Sequence, residues 1–127
     1  MNRKGEDAQA KDALKALCAK VDRAQATFCA AGLARRAIDE AIARCAMSLA
    51  APPPLPAGDA GFAAFADIRR RAMRLEFSRL QARAKELYTE EKTRRAAFET
   101  LLRRKIALEG SIAAADEERR RIRARRG

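Results

Sequence analysis

The stretch SLAAPPPLPAGDAGFAAF, residues 48–65, holds all four prolines of the 127-residue chain together with Gly58 and Gly61, while the sequence on either side reads as helix. It is open to three readings: a linker between domains, a proline-rich ligand, or the turn of a hairpin. Proline lacks an amide N–H and disfavours helical geometry in the residue before it, so the prolines at 52–54 and 56 stop the first helix. Gly58 and Gly61 let the chain reverse, and Asp59 is suited to cap the next helix by accepting a bond from a first-turn N–H. A linker would join two self-sufficient domains, and neither flanking helix can bury its apolar face alone. The hairpin turn is the favoured reading, with a proline-rich ligand as the lesser alternative, and the last part of the stretch, GFAAF, belongs to the start of the second helix.

Upstream of the turn, apolar residues recur at alternating spacings of three and four. Leu14, Leu17, Val21, Ala24, Phe28, Ala31, Arg35, Ile38, Ile42, Cys45 and Leu49 form a heptad series with one charged member, Arg35. Downstream the series is Met73, Phe77, Leu80, Ala84, Leu87, Glu91, Arg94, Phe98, Leu101, Lys105, Leu108, Ile112, Ala115, Arg119 and Ile122. Its charged members, Glu91, Arg94, Lys105 and Arg119, make it the weaker seam. Phe62, Phe65, Ile68, Ala72 and Leu75 form a further apolar strip in another phase, with no obvious partner on the first helix.

These patterns predict an all-α fold, an antiparallel two-helix coiled-coil hairpin in a single unit. The expected elements are a helix over about residues 7–50, a turn over about 51–59 and a longer helix over about 60–125. Matching apolar to apolar pairs Leu14 with Leu101, Leu17 with Phe98, Phe28 with Leu87, and Ile38 with Phe77. At roughly 1.5 Å per residue the helices are about 65 Å and 100 Å long. In this register the second overhangs from about Glu109 onward, leaving Ile112, Ala115 and Ile122 uncovered.

Of the residues counted as hydrophobic (48%), 31 are alanine, which argues against a deep core. The net charge of +11 attracts nucleic acid, anionic membrane or an acidic protein surface without choosing among them. Its pole is the C-terminal RRRIRARRG, residues 119–127, with six arginines and no acid. No apolar window approaches the roughly 18 residues of a membrane span, and no signal-peptide pattern opens the chain, which predicts a cytoplasmic protein. Cys18, Cys29 and Cys45 lack CxxC spacing and share one helical pattern, so they read as small apolar residues rather than disulfide partners or zinc ligands.

The chain has no histidine, glycine-rich phosphate loop, GxSxG motif or metal-ligand cluster, so no enzyme activity, metal or cofactor is expected. Carboxylates such as Glu90 with Glu91, or Asp116, Glu117 and Glu118, sit on arginine-rich helix and read as solvated ion-pair partners. A basic nucleic-acid-binding coiled coil is the alternative, through IRRRAMR (68–74) and RRRIRARR (119–126). Against it, Phe28, Phe77 and Phe98 belong to the seams, leaving no aromatic platform for bases to stack on. A scaffold that homodimerises through uncovered stripes is a third, weaker reading.

The stretch YTEEKTRRAAFETLLRR, residues 88–104, resembles the corresponding part of the FliJ family, small helical proteins of the bacterial flagellar export apparatus. The matching positions are Tyr88, Glu90, Lys92, Arg94, Phe98, Thr100 and Leu101. A first helix, a helix-breaking connection and a longer second helix opening with aromatics also agree with that family. The resemblance implies a coiled coil similar to the γ stalk of rotary ATP synthases, whose terminal end inserts into the export ATPase hexamer. The helix after the turn would contact the membrane export gate protein, and the chain would also handle export chaperones. It would be cytoplasmic or peripheral at the cytoplasmic face of the inner membrane.

Carried onto this sequence, the gate-contact pattern falls on Phe65 and Ala72, with Phe62 and Ile68 beside them. The basic end, Arg119, Arg120, Arg121, Ile122 and Arg123, would dock in the ATPase ring. Four positions after the key aromatic the family has an aliphatic residue, and this chain has Arg69. Related type III secretion stalk proteins do a similar job, and the resemblance does not separate the two systems.

Overall fold

Alanine, leucine, arginine, lysine and glutamate lose little side-chain freedom in a helix, and the two arms of this chain consist mainly of them. In a computed structural model that describes residues 3–51 and 60–127, both arms are continuous helices: α1 (Arg3–Ala50, 48 residues) and α2 (Ala60–Arg126, 67 residues). No strand occurs among the described residues. The fold is the all-α two-helix hairpin read from the sequence, α1 starting four residues earlier than expected. Asp59, Leu55 and the four prolines lie outside the described residues, as does the proposed cap.

The helix ends follow ordinary rules. The Ala51 N–H donates to the Met47 carbonyl at 3.1 Å, and Pro52 comes next in sequence. At the other end the Gly127 N–H donates to the Arg123 carbonyl at 3.0 Å. Arg123, Arg125 and Arg126 occupy the last turn of α2, where positive charge complements the helix dipole. Within the helices the hydroxyls of Thr27, Thr89, Thr100 and Ser111 donate to carbonyls four residues back, which satisfies them without interrupting the ladder.

The contacts divide the hairpin into two units. The first joins residues 1–29 to 93–127, and the second comprises residues 30–92. In the first, Arg119 forms an ion pair with Asp7, Phe28 stacks on Phe98 with ring centres 6.0 Å apart, and Val21 is buried. In the second, Arg35 pairs with Glu91, the Cys45 thiol meets the Met73 carbonyl at 3.5 Å, and Ala31, Ala84 and Leu87 are buried. In both, residue numbers rise along α1 as their partners' numbers fall along α2, so the helices run antiparallel.

The seams lie where the heptads put them. Every member of the α1 series is buried or half-buried, and so is the α2 series except Arg94 and Ala115, which are exposed. Burial is shallow, as the alanine content implies. Among the described residues only Val21, Ala31, Ala84 and Leu87 are buried hydrophobics, and no large side chain is fully enclosed.

The register differs from the apolar-only expectation. Phe98 lies on Phe28, not on Leu17, and Phe28 is not matched to Leu87. The numbers in the pairs Asp7 with Arg119, Phe28 with Phe98, and Arg35 with Glu91 add to 126, and those of Cys45 with the Met73 carbonyl to 118, whereas the expected pairs add to 115. Side chains lean toward the N-terminus of their own helix, so in an antiparallel pair two that meet come from Cα atoms a few residues past one another. With a lean of roughly two residues per side chain, the backbone slide is about one heptad. This register brings the seam members Arg35 and Glu91 together, where the apolar-only pairing sets each against hydrocarbon.

The predicted C-terminal overhang is corrected by the same shift. Asp7, Ala10 and Lys11 face Leu108, Ser111, Ile112 and Ala115 across a shallow cleft. Ile112 and Ile122 are half-buried, and Arg119 is tied to Asp7.

Candidate functional surfaces

Two candidate surfaces emerge, one in each unit. In the second unit the seam enters α2 through Ala66, Arg70, Met73 and Phe77, all half-buried. The strip read from the sequence lies off that seam: Phe65 is 62% exposed, Ile68 65% and Leu75 62%, with Ala72 exposed between them. Phe62, at 38%, stands at the edge nearest the seam. At 100° per residue the five positions share an arc of roughly 140°. Two of them, Phe65 and Ala72, are the positions on which the resemblance would put a gate contact, with Phe62 and Ile68 beside them.

Arg71 borders the strip and Arg69 lies within it: at about 100° per residue Arg71 projects roughly 110° from the centre of the five-position arc, and Arg69 roughly 50°, between Phe62 and Phe65. Arg71 is paired with Asp67 at 3.0 Å, and Arg69 is exposed. Any packing of the strip against the PPPLP connection would involve residues outside the described ones.

In the first unit the basic end divides. Arg119 is half-buried between Asp7 and Asp116, the latter at 3.3 Å, and Ile122 is half-buried at the seam. Arg120, Arg121 and Arg123 are exposed, with Arg121 3.6 Å from Glu117. Arg119 and Ile122 therefore hold the hairpin, and the outward charge belongs to the other three with Arg125 and Arg126, which the sequence reading left out of its docking set.

The 88–104 motif is also partitioned. Phe98 stacks on Phe28, Leu101 is half-buried, and Tyr88 donates its hydroxyl to Asp39 at 3.2 Å. Glu90, Lys92 and Arg94 face solvent. Around Tyr88 is a polar cluster that sequence reasoning missed: Arg35 bonds Glu91, reaches Asp39 at 3.0 Å and lies 5.1 Å from the Tyr88 ring centre. The hydrogen bond with Glu91 holds the Arg35 guanidinium above its ordinary pKa, with burial acting the other way and Tyr88 reinforcing Glu91. Gly32 is buried beside it, where an added Cβ would lie 3.5 Å from the Glu91 Oε1. The signal was present in the sequence as one basic outlier in the first seam and one acidic outlier in the second.

Among the described residues no group of three or more His, Cys, Asp or Glu side chains converges as a metal site would require. No described helix is long and apolar enough to cross a membrane. Comparison with family models, curated proteins and solved structures finds no match to this chain.

Proposed function

We propose that this chain is a non-enzymatic stalk or coupling component of a bacterial flagellar or related type III protein export apparatus. One unit carries an apolar strip kept off the hairpin seam, and the other ends in outward arginines. A two-helix stalk working between a gate and an ATPase needs two separate docking surfaces of this kind. The observation that carries the reading is the exposure of Phe65, Ile68, Ala72 and Leu75 beside a seam satisfied by other residues. The resemblance of residues 88–104 to the FliJ family supplies the identity of the partners.

In this reading Phe62, Phe65, Ile68 and Ala72 engage the membrane export gate protein. Arg120, Arg121 and Arg123 meet acidic groups of the export ATPase hexamer, and export chaperones bind elsewhere on the stalk. The action is mechanical: differential binding at one end biases assembly and turnover at the other, with no chemistry on this chain.

The test is a pair of binding assays with purified protein. A pull-down with the cytoplasmic domain of the gate protein is expected to capture wild type and lose Phe65→Ala/Ile68→Ala. Stimulation of the export ATPase is expected to fall when Arg120, Arg121 and Arg123 become glutamine. Unchanged capture by the double variant discards the gate site. Salt-dependent binding to any DNA or RNA, abolished by those glutamines while the ATPase is unaffected, replaces the reading with nucleic-acid binding.

A further inference from the structure

A heptad seam has a weakness in a hairpin: sliding one helix by seven residues returns apolar positions to apolar positions. The pairing of Ile38 with Phe77 and Phe28 with Leu87 is such a register, about one heptad from the one adopted. The Phe28–Phe98 stack belongs to the adopted register, and the charged seam members separate the two further. A one-heptad slide carries Glu91 from Arg35 to Phe28 and brings Ala84 to Arg35, setting Glu91 against hydrocarbon and leaving Arg35 only Asp39 on its own helix. The same slide moves Asp7 from Arg119 to Ile112.

We infer that the Arg35–Glu91 pair, with Asp39 and Tyr88, is a register selector that chooses between two heptad-related pairings of the hairpin. The cluster is built for selection more than for strength. Arg35 bonds Asp39 on its own helix and reaches across to Glu91 and the Tyr88 ring, while Tyr88 donates to Asp39, so the contacts to Glu91 and Tyr88 are made only in this register. Gly32 leaves the space beside Glu91 open. A buried polar position in an apolar seam commonly fixes alignment at some cost in stability. Here the consequence is that the cluster determines how far the strip at Phe65 stands from the end of α1, which makes these four side chains positioning residues for the hairpin.

The test uses the full chain with Cys18, Cys29 and Cys45 changed to alanine and spin labels at Ala46→Cys and Glu90→Cys, both exposed sites in the second unit. A slide of seven residues lengthens their axial separation by about 10 Å. Pulsed dipolar spectroscopy of the otherwise unchanged chain is expected to give one distance. Arg35→Met/Glu91→Met, which keeps helix propensity and bulk, is expected to add a second population about 10 Å longer at unchanged helicity. The swapped pair Arg35→Glu/Glu91→Arg is expected to return most of the population to the short distance. If the methionine variant loses helicity, Glu91→Gln is read in its place, with the same second population expected. A single short distance in whichever helical variant is read overturns the proposal, because the apolar seam would then suffice to set the register.

Discussion

The two units use one heptad design to different ends. The first holds 17 basic and 9 acidic residues, and one of its large apolar side chains, Ile106, is among the conspicuously exposed. The second is nearer balance, with 11 basic and 8 acidic, yet it contains Leu33, Met47, Phe62, Phe65, Ile68, Leu75 and Tyr88, all exposed. One unit shows charge to solvent and the other shows hydrocarbon. A seam that binds two helices therefore leaves their outer faces free to differ, and it is the outer faces that suit different partners.

The comparison is broken most severely at the seam. Leu87, 4% exposed, is the largest buried side chain among the described residues of the second unit, and Leu87→Ala is expected to cost about 3 kcal/mol. A chain with so little buried hydrocarbon should then lose much of its helicity at a lower denaturant concentration by circular dichroism. In the first unit Phe98→Ala removes the stack on Phe28. Phe98 is half-buried, so a loss of about 2 kcal/mol is expected in the same denaturation curve.

Surface changes separate the units more finely. Asp7→Asn breaks the Arg119 pair, both partners of which remain about a third exposed. Its expected effect is about 0.5 kcal/mol, shrinking as salt is added. Phe65→Ser should leave the denaturation midpoint within about 0.5 kcal/mol of wild type, because a largely exposed ring contributes little to the hairpin. It should nevertheless abolish capture by the gate domain. A large loss of stability from Phe65→Ser would make that ring part of the core and erase the contrast between strip and seam.

Much of this was legible in the sequence. The prolines placed the end of α1, and the spacings of three and four placed each α1 seam residue on the buried side. The strip from Phe62 to Leu75 was recognisable because its phase did not fit the seam that starts at Met73. Register was less accessible, since apolar heptads look alike after a slide of seven. Matching Phe28 to Leu87 treated Arg35 and Glu91 as separate defects, when each is the other's partner. The misplaced overhang followed from that choice: with α1 displaced, Ile112 and Ile122 looked uncovered and Arg119 looked free. Arg94 shows the remaining limit. It occupies a heptad position, but a long charged side chain at the edge of a narrow seam turns to water.

The central claim is that the Phe65 strip is a docking surface while the seam is structural. Hydroxyl-radical footprinting of the free chain and of its mixture with the gate protein's cytoplasmic domain tests it most directly. The account predicts that Phe65, Ile68 and Leu75 are readily oxidised in the free chain and become protected in the mixture, while Val21 and Leu87 stay protected throughout. Equal oxidation of Phe65, Ile68 and Leu75 with and without the gate domain would contradict it.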